Sequence, residues 1–208
     1  NYSELKTIDD VSAFMQGYYL HPQPNRIAEV IEALNPSGFV QRPTNEFAVI
    51  GFFSEVFAAN QNRVPEWQDH IAKQDDRTKA ILERALPVSK AGGLLNDTGH
   101  SAQLNDGWWA AFFASGNSKF VEKIVDELPY SDERKDELLF FAGATAKWSL
   151  ASNARTDPLV RSTIEKAKAR ANARRQELIN EVLNEDPDRI KQEMKEIVQR
   201  QREAGKWR

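Results

Sequence analysis

The stretches YYLHPQPNRIAEVIEAL (residues 18–34) and FFASGNSKFVEKIVDEL (residues 112–128) carry one pattern twice, 94 residues apart. With the preceding turn included, four bulky residues in each copy have the spacing i, i+1, i+4 and i+5, which lines one side of a helix. These residues are Phe14, Met15, Tyr18 and Tyr19 in the first copy, and Trp108, Trp109, Phe112 and Phe113 in the second. A breaker follows, and then apolar residues at i, i+3, i+4 and i+7. The pattern predicts an aromatic helix, a break and an amphipathic helix in each copy.

A second pair of windows, residues 57–71 and 150–164, matches at a shift of 93. Pro65 and Pro158 each stand where a new helix can open, because the first helical position needs no N–H, and Asp157 can cap the second of these helices. We therefore predict an internal duplication with a period near 93 residues. The other interpretation is chance agreement between amphipathic helices, since breakers and caps recur in any helical protein.

The resulting fold prediction is all-α, with about ten helices in stacked hairpins and a long, charged C-terminal helical pair. We expect residues 1–90 to form one helical unit, 91–107 a glycine-containing linker or loop, 108–164 a second unit that repeats the first, and 165–208 the charged helices, all within one compact domain. At finer detail, the sequence predicts helices at 8–20 with a Thr7–Asp10 capping box, 132–152 capped by Ser131, 158–184, and 187–203.

Composition restricts the classes of function. Of 208 residues, 40% are hydrophobic and 28% charged, with a net charge of −3, so we expect a globular protein without general attraction to nucleic acid. The longest apolar stretches fall short of the roughly 20 residues of a membrane-spanning helix. Without cysteine, disulfides and thiolate metal sites are excluded. The chain begins NYSELKT, which favours a processed, exported or periplasmic bacterial protein, while a cytoplasmic location fits the absence of cysteine equally well.

The candidate ligand or metal residues are those that the two copies do not share. His21 aligns with Ser115 and His70 with Thr163, whereas the third histidine lies in the unmatched central loop. Imidazole and carboxylate groups together could hold a metal ion, although no i, i+4 histidine pair is present. An ordinary surface or capping role is the simpler interpretation. The complete candidate set is His21, His70, Asp97, His100 and Asp106.

The segment KAKARANARR (residues 166–175) is the other candidate, for binding a partner. It holds five cations and no acid, and the acidic segment ELINEVLNED follows after Gln176, so its positive field is local. A solvated helix face is the plain interpretation. The functional interpretations are an acidic protein partner, which we favour, and contact with nucleic acid phosphates. The five cations are Lys166, Lys168, Arg170, Arg174 and Arg175.

No catalytic or nucleotide-binding motif is present, and the sequence predicts no cofactor. Our first hypothesis is a non-enzymatic helical module that binds an unidentified protein, because stacked helical units expose extended surfaces. The alternative is an enzyme, or a small-ligand or metal binder, whose site lies between the two halves around the central loop.

Overall fold

The computed structural model describes residues 4–208, and every regular element in that range is helical. Residues 1–3, where the expectation of a processed N-terminus falls, lie outside the described residues. The all-α prediction is confirmed: short 3-10 helices accompany eleven α-helices within the described range. These are α1 (Ile8–Gln16), α2 (Ile27–Ala33), α3 (Glu46–Ala59), α4 (Val64–Ala72), α5 (Asp76–Lys90), α6 (Ala102–Ser115), α7 (Ser118–Val125), α8 (Glu137–Ala154), α9 (Pro158–Lys168), α10 (Ala173–Asn184) and α11 (Pro187–Glu203).

The chain divides into two compact units. Unit 1 contains the residues up to Asp97 together with Asp106–Asn117, and unit 2 contains Thr98–Asn105 with Ser118–Arg208. Helix α6 therefore contributes its first turn to unit 2 and its remaining residues to unit 1. None of the helices within residues 4–208 combines the length and the apolar character that crossing a membrane requires.

Helix α3 is the centre of unit 1. Its sequence, EFAVIGFFSEVFAA, is apolar on every side, as expected for a helix that neighbours surround. Phe52, Phe53 and Phe57 are at most 1% exposed, and each such burial stabilises the fold by roughly 2–3 kcal/mol. Helix α6 crosses α3 with backbone in contact: a Cβ atom on Gly51 would lie 2.1 Å from the carbonyl oxygen of Gly107.

Helix α8 has the corresponding role in unit 2. It packs against the 3-10 helix Leu128–Asp132 and against α10 and α11. A Cβ atom on Gly143 would lie 2.0 Å from the backbone nitrogen of Ser131, so only glycine allows this approach. The ring of Trp207 packs on Phe140 with 5.0 Å between centroids, which attaches the end of the chain to α8.

The two copies of the opening pattern take different local forms. In the first copy α1 ends at Gln16, and Tyr18–Leu20 is a 3-10 helix, so the predicted helix 8–20 is too long. In the second copy α6 runs without interruption to Ser115, and Gly116 follows with φ of 67°. The internal duplication stays a prediction.

Several helix ends are confirmed, and two predictions are wrong. The Thr7–Asp10 capping box is present, and Asp157 caps α9 with Pro158 at its first position. Ser131 does not cap α8, which begins at Glu137 and is capped by Asp136. The predicted helix 158–184 is two helices, α9 and α10, separated by a turn that ends at the N-cap Asn172.

Candidate functional site

The side chain of His100, in the loop before α6, has a partner on each ring nitrogen. Its Nδ1 lies 2.8 Å from Oε1 of Glu127, and its Nε2 lies 3.3 Å from the hydroxyl of Tyr130. The rings of His100 and Tyr130 are also in contact, with 4.8 Å between their centroids. All three residues belong to unit 2. We call them the histidine cluster.

Burial differs sharply across the cluster. Glu127 is 2% exposed, whereas the side chain of His100 is 42% exposed. When Glu127 is ionised, its carboxylate only accepts hydrogen bonds, and the N–H at Nδ1 of His100 donates to it. In that tautomer of the neutral imidazole, Nε2 is an acceptor and the Tyr130 hydroxyl donates to it.

Local backbone structure holds the cluster in place. Helix α7 ends at Val125, and Glu127 is the N-cap residue of the 3-10 helix Leu128–Asp132, which also carries Tyr130. The close approach of Gly143 fixes α8 against this 3-10 helix. Glu127 and Tyr130 therefore belong to one short 3-10 helix and its N-cap, and α8 packs directly against that helix.

The electrostatic state of Glu127 results from two opposing effects. Desolvation raises the pKa of its carboxyl group, and the hydrogen bond from His100 lowers it by a smaller amount. Its second oxygen, Oε2, is buried and has no hydrogen-bond partner within residues 4–208. A buried carboxylate with one unsatisfied oxygen is costly, so the bond to His100 matters for the stability of this part of the chain.

Chemically, a carboxylate that orients an imidazole is the arrangement of a general base. The hydroxyl of the neighbouring Ser101 accepts the N–H of Leu104 at 3.0 Å, at the start of α6. With Glu127 at Nδ1 and Tyr130 at Nε2, the cluster can hold or move a proton at Nε2 of His100.

The other predicted ligand residues have local surroundings of their own. His21 is exposed at the end of a 3-10 helix, and Nδ1 of His70 lies 2.7 Å from Oε1 of Glu32. Asp97 ends the 3-10 helix Gly93–Asn96. Desolvation raises the pKa of Asp106 to about 6, although the residue keeps an exposed surface, which limits that effect.

No metal site emerges from the described part of the chain. Within residues 4–208, no three or more His, Asp or Glu side chains are grouped so that they could hold a metal ion. The histidine cluster supplies one imidazole and one phenol beside a single carboxylate, which is an incomplete donor set for zinc.

The basic segment separates into paired and unpaired cations. Arg174 forms a two-pronged ion pair with Asp132 at 2.7 and 2.8 Å and a further bond to Glu177. These bonds raise the pKa of Arg174, the largest effect being that of Asp132, and Arg174 lowers the pKa of Asp132 in return. Arg175 donates to Asp126 at 2.8 Å.

The other three cations have no ion-pair partner among the described residues. Lys166 and Arg170 are exposed and Lys168 is half-buried, in the last turn of α9 and the turn that follows. We call Lys166, Lys168 and Arg170 the basic end of α9.

Sequence reasoning missed Glu127 and Tyr130. A signal for Glu127 was present, because it follows the buried residues Phe120 and Ile124 at the spacing i, i+4, i+7 and so continues their apolar face. An acid on an apolar face indicates a specific partner. Tyr130 gave no comparable signal.

No protein-family model, curated protein or solved structure that was compared with the chain matches it.

Proposed function

We propose that the protein is a non-enzymatic helical module that binds an acidic segment of a partner protein through the basic end of α9. The single observation that carries this proposal is that residues 166–175 contain both cations with an ion-pair partner and cations without one. Arg174 and Arg175 are bound by carboxylates of their own unit, whereas Lys166, Lys168 and Arg170 have no ion-pair partner within residues 4–208. These three cations within five residues give the end of α9 a local positive charge on a chain of net charge −3.

Part of this arrangement serves the helix itself. Cations near a helix C-terminus stabilise it by about 0.3–1 kcal/mol each, because the last carbonyl groups carry partial negative charge. Arg170 stands beyond the last residue of α9 and is less able to act in this way. A test of binding must therefore measure stability alongside affinity.

Neighbouring carboxylates determine where the partner would contact the surface. A cleft of about 220 Å³ beside Arg170 is also lined by Glu122 and Asp126, and Asp126 is bound by Arg175. Glu165, on α9 itself, is bound by Arg161. We expect acidic side chains of the partner to contact the cations on the outer side of the turn and to stay out of the cleft.

A protein partner fits this surface better than nucleic acid does. Binding to nucleic acid depends on many phosphate contacts and on a basic domain, whereas this chain has a pI near 5.7 and three unpaired cations in the segment. A short acidic peptide matches a surface of this size and charge.

The proposal is tested with a fluorescein-labelled peptide rich in Asp and Glu, titrated with the full chain at low and at physiological salt. We expect the triple variant Lys166→Gln, Lys168→Gln, Arg170→Gln to bind about tenfold more weakly than the wild type, with a shallower salt dependence. The matched control is Lys73→Gln, Arg77→Gln, Lys79→Gln, which removes three cations from unit 1.

Two outcomes would count against the proposal. In the first, both triple variants bind the peptide as the wild type does, or lose affinity equally. In the second, a single-stranded oligonucleotide of the same charge binds more tightly than the peptide and depends on the same cations. Melting temperatures of all variants separate lost binding from lost structure.

A further inference from the structure

A cleft in unit 2 has the features of a small-molecule site that is distinct from the basic end of α9. It lies where α8, α10 and α11 meet and has a volume of about 190 Å³. We propose that this three-helix cleft binds a small carboxylic acid with a compact apolar body, such as an arylacetate or a branched aliphatic acid.

The floor of the cleft is apolar and well packed. Phe140 and Leu178 are each 1% exposed, and Ile190 is 3% exposed. Ala144, one turn along α8 from Phe140, contributes only a methyl group, and this small side chain leaves the space open. Met194 borders the cleft from α11 and is half-buried, so it can adapt to the shape of a ligand.

Charged side chains line the rest of the cleft, and almost all of them neutralise one another. Nζ of Lys147 lies 2.5 Å from the carboxylate of Glu181, which joins α8 to α10. Asp132 is bound by Arg174, as described above, and Glu193 accepts from Arg189 at 3.2 Å. Carboxylates that already hold a cation repel an anionic ligand much less than free ones do.

Arg134 is the exception among the charged lining residues, because no carboxylate of the described chain pairs with its guanidinium. That group lies 5.2 Å from the centroid of the Phe140 ring, above the apolar floor. Its Nη1 donates to the carbonyl oxygens of Ser131 and Glu133 at 2.7 and 2.9 Å, which fixes its position. Nε and Nη2 donate to no acceptor among residues 4–208, so their N–H groups can bind an incoming one.

Together these features define the chemistry of the ligand. A guanidinium with two adjacent N–H donors matches the two oxygens of a carboxylate. The apolar floor below it accepts a hydrocarbon group, and a benzene ring fits an apolar cavity of about 150 Å³. A suitable ligand has a ring or branched chain about as large as benzene, which packs on the apolar floor. Its carboxylate is attached one or two bonds away and binds the guanidinium of Arg134.

Calorimetric titration of the full chain with phenylacetate and with the neutral analogue phenylacetamide tests this site. We expect phenylacetate to bind with a Kd in the millimolar range or below, and about tenfold more tightly than phenylacetamide. Arg134→Gln should remove this preference and leave phenylacetamide binding unchanged. Arg200→Gln, which removes an exposed cation of α11 outside the cleft, is the matched control.

A variant that fills the three-helix cleft tests whether ligands bind on its apolar floor. Ala144→Leu should abolish binding of both compounds, and where its melting temperature shows that it does not fold, Met194→Phe narrows the cleft from its half-buried side instead. The site is ruled out by the absence of binding at about 10 mM of either compound. It is also ruled out if Arg134→Gln keeps the preference for the acid, or if a folded filling variant binds as the wild type does.

Discussion

The carboxyl group of Glu127 is buried, since only 2% of the residue is exposed, and one of its oxygens has no hydrogen-bond partner in the part of the chain that the structure describes. The imidazole of His100 is hydrogen-bonded to the other oxygen. Removing one partner of a buried pair costs far more than the pair itself contributes, because the other charge stays buried. The stability of unit 2 should therefore respond to substitution of His100 in a pH-dependent way.

We predict that His100→Ala lowers the free energy of unfolding by about 2 kcal/mol at pH 8, and by less at about pH 5. Without the imidazole, the pKa of Glu127, already raised by desolvation, rises further. Stability is then lost as the pH rises through that pKa, since the ionised form is the one that burial penalises. Urea unfolding at the two pH values measures the difference.

The double variant His100→Ala, Glu127→Gln distinguishes a charge effect from simple loss of packing. Because glutamine carries no charge, the double variant should recover stability at pH 8 relative to His100→Ala. His70→Ala is the control: its partner Glu32 is 56% exposed, so the loss should stay below about 0.5 kcal/mol. Equal losses at both pH values, or no recovery in the double variant, would show that the charge of Glu127 is not the cause.

The sequence identifies His100 but cannot identify its partners. His100 stands out because it lies in a loop that neither copy of the pattern explains. Glu127 is 27 residues away and Tyr130 is 30 residues away. Which side chains meet over such distances depends on how α7 and the following 3-10 helix pack, and periodicity along one element carries no information about that.

At the scale of the element, the turn between α9 and α10 shows tertiary structure overriding helix propensity. The residues around it, KAKARANARR, are almost all strong helix formers, so the sequence favours one helix. Asn172 is the single residue that prefers a cap, and its side chain accepts the N–H of Arg175 at 2.9 Å. The turn allows α9 to pack on α7 while α10 packs on α8.

We predict that Asn172→Ala lowers the free energy of unfolding by about 1 kcal/mol, because it removes this cap. Asn172→Asp keeps an oxygen acceptor at the same position, next to the positive end of α10, and should change stability by less than about 0.5 kcal/mol. Chemical unfolding of the three proteins measures both effects. Equal losses of stability in the two variants would mean that the side-chain amide of Asn172 is itself required. An oxygen acceptor at the cap position would then not be sufficient.

Helix ends that depend on local chemistry were predictable, and those that depend on packing were not. The Thr7 capping box and the Asp157–Pro158 start act within one turn of chain, and both are confirmed. Ser131 has the chemistry of a cap, but it lies in a 3-10 helix on which Gly143 packs, and its hydroxyl donates to the carbonyl of Leu128. The role of Ser131 therefore depends on its contact with Gly143, twelve residues further along the chain.

For the molecule as a whole, the ionisable groups predict a stability maximum in weakly acidic solution. Desolvation raises the pKa of Glu55 to about 7, and the pKa of Glu127 is raised as well. The native state therefore holds extra protons between about pH 4.5 and 7, and the free energy of unfolding falls as the pH rises through that window. Carboxyl groups with a lowered pKa, such as those of Asp75 and Asp132, lose their stabilising contribution in acid as the pH falls.

We predict that the melting temperature is highest near about pH 5, and that Glu55→Gln flattens its decline toward pH 8. Glu55 is half-buried and has no ion-pair or hydrogen-bond partner within the described residues, so its ionisation costs up to about 3 kcal/mol. Glu83→Gln, an exposed carboxylate of α5, is the control. A melting profile that rises to pH 8, or equal effects of the two variants at that pH, would contradict this prediction.

The interleaving of the two units along the chain has a consequence for synthesis on the ribosome. Unit 1 needs Asp106–Asn117, where Gly107 meets Gly51 and the indole of Trp108 donates to the carbonyl of Leu94 at 3.1 Å. A nascent chain that has emerged only as far as Asp97 therefore exposes the apolar surface of α3 that α6 later covers. The segment Thr98–Asn105 emerges before the rest of unit 2 and cannot yet make its contacts there. One of these contacts is the hydrogen bond from Asn105 to the carbonyl of Ala142. No single cut in the chain leaves both units complete, so the pair of protease fragments made by one cut should be less stable than the intact protein.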